Sequence, residues 1–343
     1  MKALFGKRSY EEIFFSASMA VAAIVFVVIY AYLYLNLIFI VSPQVFATLI
    51  IMGTVIPAFL ASFTGLYIQR GDSEIFEGLE LLFLAVTSSI ALSFVFGILG
   101  YLFSILLSHA FQGIIYSNIG VSALTAAVAG LAAYFTASFV HEINQKKMAA
   151  LILITFIFGF MLTAVRNNDH YWWASSLCAL GMPVNQTPLY YSFTMIITGA
   201  LMLTFGDFLK PQIVKLTKAG VLAHDEPLVL TILYGIGALN LFLVGIIPYG
   251  LNETLNQMHI FFANYTFIHV GVVILFGFLL FKKFPRVFMI QNYIILALTA
   301  AFYYFTVSRY VMPYALSEIV VIIDTIIWFT LFTRALKQLS ESV

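Results

Sequence analysis

The chain has 343 residues, 62% of them hydrophobic and only 9% charged, with a net charge of +1 and a mean hydropathy of +1.03. A soluble domain is about half apolar and about a quarter charged, so this much apolar surface requires lipid as the solvent. The near-zero net charge excludes nucleic acid as a partner, because phosphate binding needs clustered Lys and Arg. The single cysteine, Cys178, excludes an intrachain disulfide and any multi-cysteine metal site.

The first apolar stretch, Ile13 to Val41, is far longer than the ~7–15 apolar residues of a signal peptide, and no small-residue cleavage pattern follows it. It reads as a retained first span. A hydrocarbon core of ~30 Å needs about 20 apolar residues in a helix. Ten runs of that kind follow one another: 13–41, 44–69, 78–108, 114–140, 147–166, 188–208, 227–248, 259–281, 287–308 and 312–334. The expected fold is therefore all-α, a polytopic transmembrane bundle of about ten helices. Turn or polar residues mark the breaks: Ser42-Pro43, Gly71-Asp72, Asn144-Gln145, Pro211, Pro248-Tyr249-Gly250, Pro285 and Pro313.

The fourth run, "GVSALTAAVAGLAAYFTASF", is rich in Ala, Gly and Ser, with Ala126 and Gly130 four apart. Small residues let helix backbones approach closely, so this run should be a packing helix inside the bundle. The connector "HEINQKK" comes next. It divides the chain into an N-terminal four-span bundle over 1–140 and a C-terminal six-span bundle over 147–337. No sequence repeat relates the two, so an inverted-repeat transporter is not signalled.

Basic residues set the expected orientation. Alternate loops hold Lys2, Lys7 and Arg8; Arg70; Lys146 and Lys147; Lys210, Lys215 and Lys218; Lys282, Lys283 and Arg286; Arg334 and Lys337. The other loops hold only Arg166 and Arg309. Lys and Arg are retained on the cytoplasmic side, so both termini should be cytoplasmic, in the plasma membrane of a prokaryote. The stretch "FGDFLKPQIVKLTKAGVLAHDEP" then reads as a cytoplasmic loop that could lie along an anionic leaflet.

The longest outer loop is "RNNDHYWWASSLCALGMPVNQTP", 166–188, with Asp169 and His170 beside Trp172 and Trp173. It reads as an interfacial aromatic belt or as a folded lip over a cleft. At 1.5 Å per residue, two polar strata lie beneath it. Glu318, Asn264 and Tyr304 fall at roughly 6–9 Å depth; His269, Asp324 and Asn240 fall at roughly 12–18 Å. An ionised residue at the bilayer centre costs about 2.5–3.5 kcal/mol on insertion scales. Asp324 must therefore face protein or water, and His269 is its expected partner. The pair could fix packing, handle a proton or cation, or line a ligand pocket. His259, at the mouth of the eighth run, joins Asp169 and His170 as the rim.

No metal or other cofactor is expected. His259 and His269 stand about 15 Å apart along one helix axis and cannot share an ion, and nothing in the spacing of Asp169, His170, Glu253 and His259 forces them together. No metalloprotease, nucleophile-elbow or phosphate-loop motif is present. The acceptor patterns "NQT" and "NET" read as chance.

The last six runs resemble the DUF-998 family of uncharacterised six-span membrane proteins, a relative of the DRAM-like group, over about residues 147–335. The resemblance rests on "SSLCALG" (175–181), the glycine-bearing "SFTMIITGALML", Gly245-Ile246-Ile247-Pro248, and His259 at the start of the following run. The family often has Asn where this chain has Ser192-Phe193, so no role for that Asn carries over. The expected function is non-enzymatic: binding or moving a lipid or small amphiphile, or serving as the membrane subunit of an assembly. Membrane lipids, and a protein partner in the same membrane, are the expected partners. The alternatives are a proton- or ion-coupled transporter using Asp324 and a membrane-embedded lipid hydrolase or transferase.

Overall fold

The computed structural model describes residues 10–68, 78–111, 115–141, 143–169, 171–183, 187–223, 226–280, 284–307 and 313–343. Among the described residues are ten long helices: α1 Tyr10–Leu35, α2 Pro43–Ile68, α3 Leu79–Ala110, α4 Asn118–Val140, α5 Gln145–Arg166, α6 Pro188–Lys218, α7 Glu226–Ile246, α8 Glu253–Leu280, α9 Arg286–Val307 and α10 Tyr314–Glu341. Eight of these are long and apolar enough to cross a membrane. Helix α7 contributes a shorter apolar stretch, Tyr234–Ile246, and α8 opens on the polar sequence "ETLNQ".

Several boundaries follow from local chemistry. Helix α2 opens on Pro43, whose missing N–H costs nothing in a first turn, and Ser42 Oγ accepts from Val45 N at 3.3 Å. Ser117 caps α4 by accepting from Gly120 N, Asn144 Oδ1 accepts from the Lys146 amide at 3.0 Å to start α5, and Pro313 stands at the head of α10.

Two boundaries differ from the hydropathy reading. Helix α1 stops at Leu35 rather than running to Val41. Leu37 turns the chain with φ 56, and the following residues pair with the start of α4, Val41 N donating to Tyr116 O at 2.8 Å. Pro211, read as a break, lies inside α6. An interior proline costs about 3 kcal/mol, but the helix beyond it buries Ile213 and Leu216, and Lys215 Nζ donates to Ser340 O at 2.6 Å near the end of α10. The helix closes instead on Gly220, at φ 71, a left-handed position that suits glycine. The stretch expected to be a loop is thus mostly helix.

The chain forms two compact units, Met1–Lys147 and Met148–Val343. In the first, α1 packs on α4, and α2 packs on both α3 and α4. Ile29, Leu33, Val41, Phe46, Ile50 and Val121 form its apolar core. The Ala face of α4 (Ala126, Ala129, Ala132, Ala133) is buried, while Leu131 and Phe135 on its other face are exposed. In the second unit α6 packs on α7, α7 on α8, α9 on α10 and α10 on α6. The α6–α7 contact is backbone to backbone and reciprocal. A Cβ on Gly199 would lie 2.7 Å from Phe242 N, and one on Gly245 would lie 2.7 Å from Ile196 N. Only glycine permits this approach.

Candidate functional site

The 166–188 loop folds into two short 3-10 turns, Trp172–Ala174 and Leu177–Gly181. "LCALG" is too short to make a helix of its own, yet all five residues are buried. Such a turn leaves its first amides without partners, and the Ser176 side chain does not cap them. Glu318 fills that role from 141 residues away. Its Oε2 accepts from Leu177 N at 2.5 Å, and the residue is only 4% exposed. At the far side of the turn Thr187 Oγ1 donates to Leu180 O at 2.8 Å.

Tyr191, in the first turn of α6, packs its ring on Gly181, and its hydroxyl donates to Cys178 Sγ at 3.9 Å. Burial, reinforced by the charge of Glu318, pushes the Cys178 thiol up to about 12. The thiolate is the reactive form, so this cysteine is inert at neutral pH.

His259 completes the surroundings from α8. It is 1% exposed, and its Nδ1 lies 2.6 Å from Ile247 O. A carbonyl only accepts, so Nδ1 carries the proton and Nε2 of the neutral ring is a bare lone pair. That Nε2 is enclosed and has no hydrogen-bond partner. The ring neighbours two tyrosines, with centroids 6.3 Å from Tyr191 and 5.3 Å from Tyr249. Burial raises the Tyr249 hydroxyl above its usual range, with smaller contributions from Cys178 and Glu318.

The other residues singled out by sequence engage different partners. Asn240 ties α7 to α8 by donating to Phe262 O and Thr266 Oγ1. Asp324 is buried, and its Oδ2 accepts from Thr299 Oγ1 at 3.1 Å, joining α9 to α10. The side chain of His269, its expected partner, lies outside the described residues, as does His170. Asn264 is exposed and its Oδ1 accepts from Tyr314 Oη at 3.4 Å. Tyr304 is also exposed, edge-on to Phe305, and Asp169 uses Oδ1 to accept the Tyr171 amide.

The structure thus places Glu318, Thr187 and Tyr191 against one buried turn that holds Cys178, and sets His259 beside Tyr191 and Tyr249; the sequence reading missed Cys178, Thr187, Tyr191 and Tyr249. The apolar "LCALG" inside a polar loop was the available signal for that burial. Among the described residues no three His, Cys, Asp or Glu side chains converge to hold a metal ion. No protein-family model, curated protein or solved structure matches this chain.

Proposed function

We propose that this chain is an integral membrane protein of ten spans, with both termini cytoplasmic, whose second unit binds or moves a lipid or small amphiphile at its outer end. Support for the ten spans comes from the coincidence of each apolar run with a long helix. Support for the orientation comes from 14 of 16 Lys and Arg falling in alternate loops, which makes the 166–188 loop an outer one. The location we favour is a prokaryotic plasma membrane.

The observation that carries the ligand reading is the enclosed polar set at this end, Glu318 and His259, with the Nε2 lone pair unpartnered. Ionisable groups inside a membrane mark sites more often than scaffolding. Exposed apolar side chains lie close by in sequence, at Leu189, Leu251 and Phe261, and polar groups beside apolar surface suit an amphiphile. The DUF-998 resemblance covers the same six helices and is part of this proposal. The test is lipid analysis of protein purified in mild detergent. We expect retained lipid in the native chain and its loss in Glu318→Ala; native protein free of lipid would refute the reading.

A second reading, proton- or ion-coupled transport, has one observation in its favour. Asp324 is a buried carboxylate about 15 Å into α10, held by the Thr299 hydroxyl. Proteoliposome flux that collapses in Asp324→Asn would establish it, and unchanged flux would remove it.

A further inference from the structure

The His259 site has a chemical preference that can be read from its atoms. The unpaired atom, Nε2, is an acceptor, because Ile247 O holds the proton on Nδ1. A buried acceptor left alone is costly, and only an N–H or O–H donor relieves it. A phosphate or carboxylate oxygen brings no donor. The ring centroids of Tyr191 and Tyr249 lie 6.3 Å and 5.3 Å from that of the imidazole, and aromatic faces attract cations. Ile247 O lies just past the C-terminus of α7, the negative end of that helix. A donor, a cation and a position beside apolar surface are all satisfied by one group.

We propose that His259, Tyr191 and Tyr249 form a recognition site for the primary ammonium of a lipid headgroup, with His259 Nε2 accepting an N–H. The assignment rests on the lipid-binding reading and narrows it to one headgroup class. It also gives Tyr249 a role. Nε2 is enclosed in the structure, so a headgroup reaches it only by displacing what covers it. Tyr249 is the less buried of the two tyrosines. It sits on the non-helical segment between α7 and α8, beside Gly250 at φ 88, whose amide donates to Asn256 Oδ1 at 2.5 Å. Tyr249 is the lid of the site, and Tyr191, anchored on the 177–181 turn, is its floor.

The experiment is native mass spectrometry of the full chain from micelles holding equal amounts of phosphatidylethanolamine, phosphatidylcholine and phosphatidylglycerol. We expect the primary ammonium lipid to be retained about tenfold over the other two, the factor that one buried hydrogen bond is worth. The choline lipid carries a cation without an N–H, so equal retention of choline and ethanolamine lipids would overturn the role of Nε2. His259→Asn is the informative variant. Its amide nitrogen stands in for Nδ1 and keeps the bond to Ile247 O, while its one acceptor, Oδ1, lies on the Cδ2 side and falls short of the Nε2 position. We expect the preference to vanish in a chain that still melts like the native one. His259→Phe, which loses both nitrogens, checks that any destabilisation comes from the Ile247 bond. Preference that persists in His259→Asn refutes the proposal. Lipid retained without headgroup preference refutes the ammonium assignment and leaves lipid binding standing; no lipid at all refutes both. Thermal stabilisation by ethanolamine alone, in lipid-free micelles, would reassign the site to a free amine.

Discussion

The two units bury apolar side chains and hydroxyls in the same way, but the second also buries polar groups of another kind. Among the described residues, the buried polar side chains of the first unit are Ser and Thr, together with Asn118. Their hydroxyls largely return to their own helix, as Ser62 does to Ala58 O, Ser93 to Ser89 O and Thr136 to Ala132 O. The second unit buries Glu318, Asp324, His259, Asn240 and Asn292, and their bonds run between elements far apart in sequence. Leu177 to Glu318, Thr299 to Asp324 and Trp328 to Asn292 are examples. A hydroxyl bonded within its own helix is satisfied before the bundle assembles. An inter-element polar bond is satisfied only by the finished fold, so it constrains that fold and places chemistry within it. In the function proposed above, the first unit is a scaffold and the second carries the site.

The largest test of this contrast is at the glycines. Gly245→Leu puts a side chain into the backbone of α6, where Ile196 N and Ser192 O would lie 2.7 and 2.8 Å from the new Cβ. Backbone cannot step aside as a side chain can. Overpacking costs about 1–3 kcal/mol and occasionally more, and here it also separates α7 from the helix that carries Tyr191. We expect little folded protein in detergent by size-exclusion chromatography. Gly130→Ala in the first unit should be milder, since its Cβ would meet Ala22 Cβ at 3.1 Å and Ser18 O at 3.3 Å. Equal loss in both variants would show that the two seams do not differ.

Next comes the acid that caps the buried turn. Glu318→Ala leaves the Leu177 amide unpaired, at a cost of about 1–3 kcal/mol, and frees the 177–181 turn to open. Cys178 reports on this directly. In the native chain a maleimide should label it very slowly at pH 7; in Glu318→Ala labelling should accelerate, and Glu318→Gln, which keeps an acceptor oxygen, should lie between. Unchanged labelling across the series would mean that the turn is held by packing alone.

The same thiol gives a pH signature of intermediate size. Its pKa rises from 9.0 in the open chain to about 12 in the fold, so the unfolded chain gives up the proton first. Stability from this group is therefore intact below about pH 9 and is lost as pH climbs toward 12. Thermal unfolding should show an alkaline decline between those limits that flattens in Cys178→Ala. A decline of the same steepness in that variant would assign it to other groups, the tyrosines among them.

Much of the architecture was legible before any coordinates, and the reason is physical. Lipid imposes a run length on every span, and Ser42-Pro43, Asn144 and Pro313 are residues whose own chemistry starts a helix. Pro211 was misleading because a proline's cost is local while its compensation, Lys215 reaching Ser340 O, lies 125 residues away. Glu318 and His259 were legible as polar residues in apolar runs, but their partners were not. Hydropathy cannot show that Glu318 finds the amide of Leu177 or that Asp324 finds Thr299 rather than water. The small turn at 177–181 was hidden for a similar reason: five apolar residues inside a polar loop declare burial only when something is known to cover them.

The smallest expected effect is the most exacting test of the contrast. Thr136 is fully buried, and its hydroxyl donates to Ala132 O at 2.7 Å and to Ala133 O at 3.2 Å. Thr136→Val keeps the shape and deletes the hydroxyl. Ala132 O still receives the amide of residue 136 through the helix, so no acceptor is stranded, and the lost bond is offset by removing a polar group from an apolar interior. We expect the unfolding midpoint to move by no more than about 0.5 kcal/mol equivalent, the range of an uneventful substitution. A cost in Thr136→Val as large as that of Glu318→Ala would mean that hydroxyls of the first unit also hold elements together. The division into scaffold and site would then fail where it is supposed to be clearest.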